Sequence, residues 1–130
     1  DSEGNTSFSN DKSEIIQEDW RSFEIEVANL FRLKGLNVKR NYSLQGNQVD
    51  VFLEEKTHSG KMLRTIVECK FYNKSVGVKE VRELNYLFSF AQNAKLADHA
   101  ILVSYSGFSK DAYLVAEQSN SITKKMTSRM

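Results

Sequence analysis

The chain has 130 residues, of which 40% are hydrophobic and 27% are charged, and this suits one globular domain with a single modest core. The formal net charge of +1 neither supports nor excludes nucleic acid, although a protein that coats DNA by charge alone is usually more basic. No apolar run could span a bilayer, no signal segment stands at the start, and the single cysteine cannot form an internal disulfide, so we expect a cytoplasmic protein with no membrane contact.

The N-terminal third begins with a polar segment and continues into a helix. Residues 1–16 are mostly polar and carry Gly4, Asn5, Ser7, Ser9 and Asn10, which is typical of disorder or of a linker. From Trp20 onward, apolar residues recur at helical spacing: Phe23, Val27, Leu30 and Phe31. Gly35 is typical of a helix stop. We therefore predict a first helix here and a folded domain over residues 17–118.

The next segment alternates apolar and polar residues with the two-residue period of β-strands. It predicts three strands, at residues 38–44, 48–54 and 62–72. Turn-forming residues separate them around positions 45–47 and 57–60. Short turns between consecutive strands imply an antiparallel meander.

Helical spacing returns at Val78 and is followed by a short apolar run and another helix. The second helix carries Val81, Leu84, Leu87, Phe88 and Ala91. Residues 100–103 are continuously apolar, as in a buried strand, and Ser109 can cap a third helix. The order α-β-β-β-α-β-α predicts an α/β fold with a mixed central sheet flanked by helices, including one parallel crossover. Residues 119–130 are polar and predict a tail or a weak edge strand.

Three charged residues are embedded in the apolar strands. Asp50 lies between two valines, and Glu68 and Lys70 flank Cys69. Burying part of a charged group is costly unless it is paired or holds a metal. Side chains two apart on a strand share a face, so Glu68 and Lys70 point the same way and Cys69 points the other way, as a buried thiol. Asp50 can approach Glu68 if the second and third strands are adjacent.

Two carboxylates form a hard oxygen site suited to Mg²⁺, with Mn²⁺ able to substitute. Such a metal polarises a phosphoryl oxygen and activates water, and the ammonium group of Lys70 can stabilise charge developing on a phosphate. The set is therefore suited to phosphodiester hydrolysis. The alternative is a surface ion pair, because Glu-x-Lys is a common tripeptide and recurs at Glu54-Glu55-Lys56 beside a turn.

Several short motifs, in this order and spacing, resemble the Mrr-like family of restriction endonucleases, which have the restriction-endonuclease-like PD-(D/E)xK fold. More distantly, they resemble archaeal Holliday-junction resolvases. The resemblance runs from about Trp20 to Gln118. The matching stretches are Phe23-Glu24, residues 27–31, 34–38, 46–51, 67–71, 100–103 and 106–109, and Ala112.

The resemblance implies a DNA endonuclease that uses a divalent metal. It implies that Asp50 and Glu68 are metal ligands and that Lys70 is the catalytic lysine. It also suggests that Glu24 on the first helix adds a carboxylate. The helical pattern by itself leaves the choice between Glu24 and Glu26 open, since the two border opposite edges of the apolar stripe.

Three cations follow the proposed catalytic strand: Lys74, Lys79 and Arg82. They could contact DNA phosphates beside the site, and a solvated start of the second helix explains them equally well.

The leading hypothesis is a Mg²⁺-dependent DNA endonuclease that serves as the effector domain of a restriction or antiphage defence protein. The alternatives are a catalytically silent module that binds nucleic acid or protein, and a resolvase of branched DNA. Double-strand cleavage needs two sites, which favours a homodimer. The chain starts at Asp1 rather than Met, and relatives often carry a separate DNA-reading domain, so we expect fusion to further domains.

Overall fold

The computed structural model describes residues 19–119 and the backbone of a strand at 123–127. The predicted polar segment 1–16 lies outside the described residues. Helix α1 covers residues 19–33. The elements after it are β1 (Asn37–Leu44), β2 (Asn47–Lys56), β3 (Met62–Lys70), α2 (Val78–Asn93), β4 (His99–Ser104), α3 (Lys110–Gln118) and β5 (Thr123–Thr127).

The strands form one mixed sheet in the order β1-β2-β3-β4-β5. The first three pair antiparallel, while β4 pairs parallel to β3 and β5 pairs parallel to β4. The predicted order α-β-β-β-α-β-α and the mixed sheet are therefore confirmed, with α2 as the crossover between β3 and β4. Strand β5 adds a parallel edge to that order.

A tight turn sets the register of the first hairpin. Leu44 pairs with Asn47, so only Gln45 and Gly46 connect the strands. Both have positive φ angles, 51° and 88°, as a type I′ turn requires, and this turn matches the twist of the two strands. The register that it fixes decides which β2 residues face each layer of helices.

Two hydrophobic cores lie on opposite faces of the sheet. Alternate strand residues such as Phe52 and Ile66 pack with α2 and α3, while Val51 and Val67 pack with α1. On α1 the predicted apolar stripe is wrong at Leu30, which is 37% exposed, because Ala28 takes the inward position instead. The predicted cap of α3 is confirmed, since the Ser109 hydroxyl accepts a hydrogen bond from the Ala112 N–H at 3.1 Å.

The sheet opens between β2 and β3 at one end. The paired residues of these strands stop at Val51 and Val67, whereas the pairing of β3 with β4 continues to Lys70 and Ser104. Strand β3 ends at Lys70, two residues before the predicted end at 72. The Lys70 carbonyl still accepts the Tyr105 N–H, after which the chain leaves the sheet. The gap between β2 and β3 is the place where the charged strand residues lie.

Within the part of the chain that the structure describes, no helix combines the length and apolar character needed to cross a lipid bilayer.

Candidate active site

Asp50 lies where the regular alternation of β2 side chains between the two cores is interrupted. Val49 packs in the core of α2 and α3, yet Val51, two residues later, packs in the core of α1. Regular alternation would put both on one face. The neighbouring strand departs from regular geometry at the same level, since Asn41 has a φ of 51°. Asp50 therefore stands in the gap rather than on either face.

The Asp50 and Glu68 side chains replace backbone hydrogen bonds that the separated strands cannot make. The Cys69 N–H donates to Asp50 Oδ2 at 2.8 Å, and the Asp50 N–H donates to Glu68 Oε2 at 3.4 Å. Buried backbone N–H groups need such partners. The two carboxylates are thus held next to each other by the chain that carries them.

Glu68 and Lys70 line the same cavity, on the face of the sheet that α2 covers. This cavity has a volume of about 130 Å³ and is also bordered by Gln48 and Glu80. Cys69 points the other way into the core of α1 and is buried. Burial, followed by the charge of Asp50, raises the pKa of the Cys69 thiol far above its usual value. This thiol is a poor nucleophile at neutral pH.

Helix α1 lies on the face of the sheet opposite α2, and it brings a third carboxylate, Glu24, to Asp50. Glu24 is 1% exposed. Its Oε1 accepts a hydrogen bond from the Arg40 guanidinium at 3.4 Å, while its Oε2 is buried without a hydrogen-bond partner. Glu26 instead lines a separate cavity with Phe71 and Tyr105. The structure therefore brings Glu24, and not Glu26, to the Asp50 group.

The three carboxylates concentrate negative charge around Asp50. Burial and then the charge of Asp50 raise the pKa of Glu24 to about 7. Burial and then Asp50 also raise the pKa of Glu68 to about 8, against an opposing effect of Lys70. Deprotonated carboxylates at such positions are stabilised by a cation. Their oxygens, including the unpaired Oε2 of Glu24, are the ligand type that a hard divalent ion prefers.

The carboxylates are not closed into a cage as they stand. Among the described residues, no group of three or more His, Cys, Asp or Glu side chains is arranged to hold a metal ion. Instead, the Asp50 carboxylate interacts electrostatically with Glu24 and, separately, with Glu68. The carboxylate oxygens are chemically suited to a divalent cation. The side chains around Asp50 would have to rotate before all three carboxylates could coordinate one ion.

The three predicted DNA-contacting cations do not line the cavity of Glu68 and Lys70. Lys74, Lys79 and Arg82 are exposed. Lys79 and Arg82 line an open groove with Glu83, and Glu83 also borders the cavity of Glu68 and Lys70. Glu83 therefore borders both the groove and the candidate site, on the α2 side of that site.

Sequence reasoning missed Arg40 and Glu80 as members of this neighbourhood. Arg40 stands on an inward-facing position of β1, and its pairing with Glu24 depends on the packing of α1. The Glu80 carboxylate accepts hydrogen bonds from the Gly77 N–H at 3.2 Å and the Tyr72 hydroxyl at 3.3 Å. The only sequence signal for Glu80 is an acidic residue in the first turn of α2, which reads as a helix cap.

Replacing Arg40 with methionine should destabilise the domain by about 1–3 kcal/mol, because it leaves the buried Glu24 carboxylate without its partly exposed cationic partner. Urea denaturation at pH 8 measures the loss. The double variant Arg40→Met with Glu24→Gln should recover most of it, since no unpaired buried charge remains. A double variant no more stable than Arg40→Met alone would contradict this assignment.

Comparison with known proteins gives one family match and several similar folds. The model of the Mrr catalytic domain, described as restriction endonuclease, matches residues 15–124. The structure is similar to that of a protein of unknown function called AF1548, with a TM-score of 0.68 and 24% identity over 80% of this chain and 55% of that one. No curated protein matches the chain.

Two further solved structures with similar folds are endonucleases. The DNA modification-dependent restriction endonuclease AspBHI gives a TM-score of 0.59 and 23% identity over 88% of this chain and 31% of that one. A repair endonuclease from Pyrococcus abyssi gives 0.57 and 18% over 82% of this chain and 46% of that one. This chain thus spans about half or less of the length of these proteins, and the similarity identifies the restriction-endonuclease-like fold.

Proposed function

Since the chain belongs to the Mrr catalytic-domain family of restriction endonucleases, we propose that it is a divalent-metal-dependent endonuclease that hydrolyses phosphodiester bonds in DNA. One observation carries this proposal: Asp50 and Glu68 meet in the gap between β2 and β3, and Lys70 lines the same cavity as Glu68. A silent binding module has no chemical need for two adjoining carboxylates with a lysine beside them.

Asp50, Glu68 and Glu24 are the residues that would hold the metal, with Mg²⁺ as the physiological ion and Mn²⁺ as a substitute. When bound, such an ion polarises a phosphoryl oxygen and lowers the pKa of its water. The raised pKa values of Glu24 and Glu68 support this role, because both carboxylates lie where a positive charge is favoured.

Lys70 has a distinct role in this proposal. Its ammonium group is positioned by β3 beside Glu68, where it can orient the attacking water or stabilise charge that develops on the scissile phosphate. Cys69 and Lys70 pair with strand β4, and this pairing fixes the backbone at this point. A rigid strand holds a catalytic group in position better than a loop does.

The biological setting proposed for the domain is restriction or antiviral defence in the cytoplasm. AspBHI, which has a similar fold, is a DNA modification-dependent restriction endonuclease. This chain covers only 31% of AspBHI, which supports fusion of such a domain to others that select the DNA. Cleavage of both strands needs two sites, so we propose that the active form is a homodimer.

The first experiment is a supercoiled-plasmid assay on the wild-type chain. We expect nicked and linear DNA with Mg²⁺ or Mn²⁺ and intact plasmid with EDTA, because the proposed mechanism depends on a bound metal to activate water and polarise the phosphate. Cleavage that persists in EDTA would contradict metal-dependent hydrolysis. Parallel assays with a linear duplex and a four-way junction would distinguish a general endonuclease from a resolvase, which should cut the junction preferentially.

A second expectation concerns DNA binding through the groove of Lys79 and Arg82. Each of the substitutions Lys79→Ala and Arg82→Ala should weaken binding to all sequences equally and reduce the slope of log K against log salt by about 1. Titration of labelled duplex DNA at several salt concentrations measures this slope. Lys61→Ala, an exposed lysine at the opposite end of the sheet, is the matched control. An unchanged slope in both groove variants would exclude these cations from the interface.

A further inference from the structure

A cavity walled by aromatic rings lies on the other side of strand β3 from the catalytic cavity. Its volume is about 350 Å³, and its lining residues are Asp19, Ser22, Phe23, Glu26, Phe71 and Tyr105. The Phe71 and Tyr105 rings are 4.6 Å apart, and each packs against Phe23 at 5.7 Å between centroids. Phe23 is buried, so it fixes the other two rings, which are only partly buried.

The cavity is tied by the backbone to the proposed catalytic lysine. Phe71 follows Lys70 directly, and the Tyr105 N–H donates to the Lys70 carbonyl at 3.0 Å. Tyr105 also lines a second, polar cavity together with Lys74 and Ser106. The aromatic wall therefore lies between the end of the catalytic strand and a cation suited to a phosphate.

The polar groups of the aromatic cavity disfavour a phosphate and can accept hydrogen bonds from N–H donors. Asp19 and Glu26 are carboxylates, which repel phosphate and accept hydrogen bonds from N–H donors. Ser22 adds a hydroxyl group. Flat ring faces beside acceptors of this kind match a nucleobase with an exocyclic amino group, which cytosine, adenine and guanine have, better than thymine, whose ring N–H is its only donor.

We propose that this cavity binds one unstacked, amino-bearing nucleobase of the DNA strand under cleavage, with the neighbouring phosphate directed toward Lys74. This rests on the proposed function for the nature of the polymer and its path past Lys70. A base reaches such a cavity only if it is unpaired or is extruded from the duplex. The cavity would therefore favour substrates with an unpaired cytosine, adenine or guanine beside the cut over those with an unpaired thymine.

Binding of single-stranded oligonucleotides tests this directly. Fluorescently labelled dC12, dA12 and dT12 are titrated with the protein in EDTA, which prevents cleavage, and anisotropy gives the dissociation constants. We expect dC12 and dA12 to bind roughly tenfold more tightly than dT12, from hydrogen bonds to charged acceptors. Glu26→Met should reduce that preference, since it removes an acceptor while keeping an extended side chain.

Tyr105 variants separate stacking from folding. Tyr105→Leu keeps an apolar side chain but loses the flat ring, and should weaken binding of all three oligonucleotides roughly tenfold. Tyr105→Phe keeps the ring and should bind like the wild type. Phe90→Leu, an equally apolar change on the distant half of α2, should also leave binding unchanged.

The outcomes distinguish this proposal from the proposed function. Base preference that depends on Glu26 and Tyr105, in a chain that cuts no plasmid, would support the cavity and contradict the nuclease proposal. Metal-dependent plasmid cleavage, with dC12 and dT12 bound alike and Tyr105→Leu equal to wild type, would do the reverse. That second pattern overturns the base-binding proposal.

Discussion

Replacing Lys70 with alanine should lower the rate of metal-dependent plasmid cleavage by about 10³-fold, the effect expected when a fixed group that stabilises transition-state charge is removed. Lys70 reaches the cavity of Glu68 from a strand that is paired with β4 up to this residue. Its side chain makes no hydrogen bond that the sheet requires, so the fold should persist. Single-turnover cleavage of supercoiled plasmid at saturating Mg²⁺ measures the rate of the chemical step.

The chain contains a matched control for this substitution. Lys56 ends a second Glu-x-Lys tripeptide, at the far end of β2 beside the hairpin, and it is exposed. Lys56→Ala therefore removes the same charge from the same tripeptide without touching the gap, and it should cleave at the wild-type rate. Equal loss in both variants would point to general DNA binding. No loss in Lys70→Ala would remove Lys70 from the catalytic set.

The adjacency of Asp50 and Glu68 was predictable because it depends on simple periodicities. A two-residue alternation and a short turn place two successive strands side by side, and the side-chain period then puts Glu68 and Lys70 on one face. The same reasoning predicted Cys69 on the opposite face, where it is buried in the core of α1. Local sequence carries this information because the strands are consecutive.

The features that sequence did not predict depend on how layers pack together. The change of face at Asp50 coincides with the positive φ of Asn41 and the separation of β2 from β3, and neither follows from alternation. The choice of Glu24 over Glu26 depends on the rotation of α1 against the sheet. Sequence left it open because both residues border the apolar stripe, whereas packing buries Glu24 against Arg40.

The edge strand β5 illustrates a third kind of information. Residues 123–127 have the sequence TKKMT, which lacks the apolar alternation of a half-buried strand. They nevertheless pair in parallel with β4. Backbone hydrogen bonds to an existing strand edge can order a polar segment that has no strong strand pattern of its own. Sequence therefore predicted only a tail or a weak edge strand here.

The carboxylate cluster leads to a further expectation, which links function to stability. Asp50→Asn should raise the free energy of unfolding of the metal-free protein at pH 8 by about 1–3 kcal/mol, at about 1.4 kcal/mol per pKa unit relieved. The Asn side chain can still accept the Cys69 N–H, as Asp50 Oδ2 does. It lacks the negative charge that, after burial, is the second cause of the raised pKa of Glu24 and of Glu68.

The pH dependence follows from the direction of those pKa shifts. In the folded protein the pKa of Glu24 is raised from 4.5 to about 7 and that of Glu68 to about 8. Between pH 4.5 and 8 the folded state therefore holds protons that the unfolded state has released, so the wild-type stability falls as pH rises through this window. The advantage of Asp50→Asn should accordingly be large at pH 8 and small at pH 5, where both glutamates are protonated.

Adding Mg²⁺ should reverse the order of the two proteins. A ligand that binds only the folded state stabilises it, and wild type has three carboxylates to bind the ion where Asp50→Asn has two. Urea denaturation at pH 5 and pH 8, with EDTA or with Mg²⁺, measures all four conditions. A variant that is less stable than wild type at pH 8 in EDTA would show that the Asp50 carboxylate stabilises the metal-free fold. The expected reversal would show that the carboxylate cluster lowers the free energy of unfolding without metal and raises it when the ion is bound.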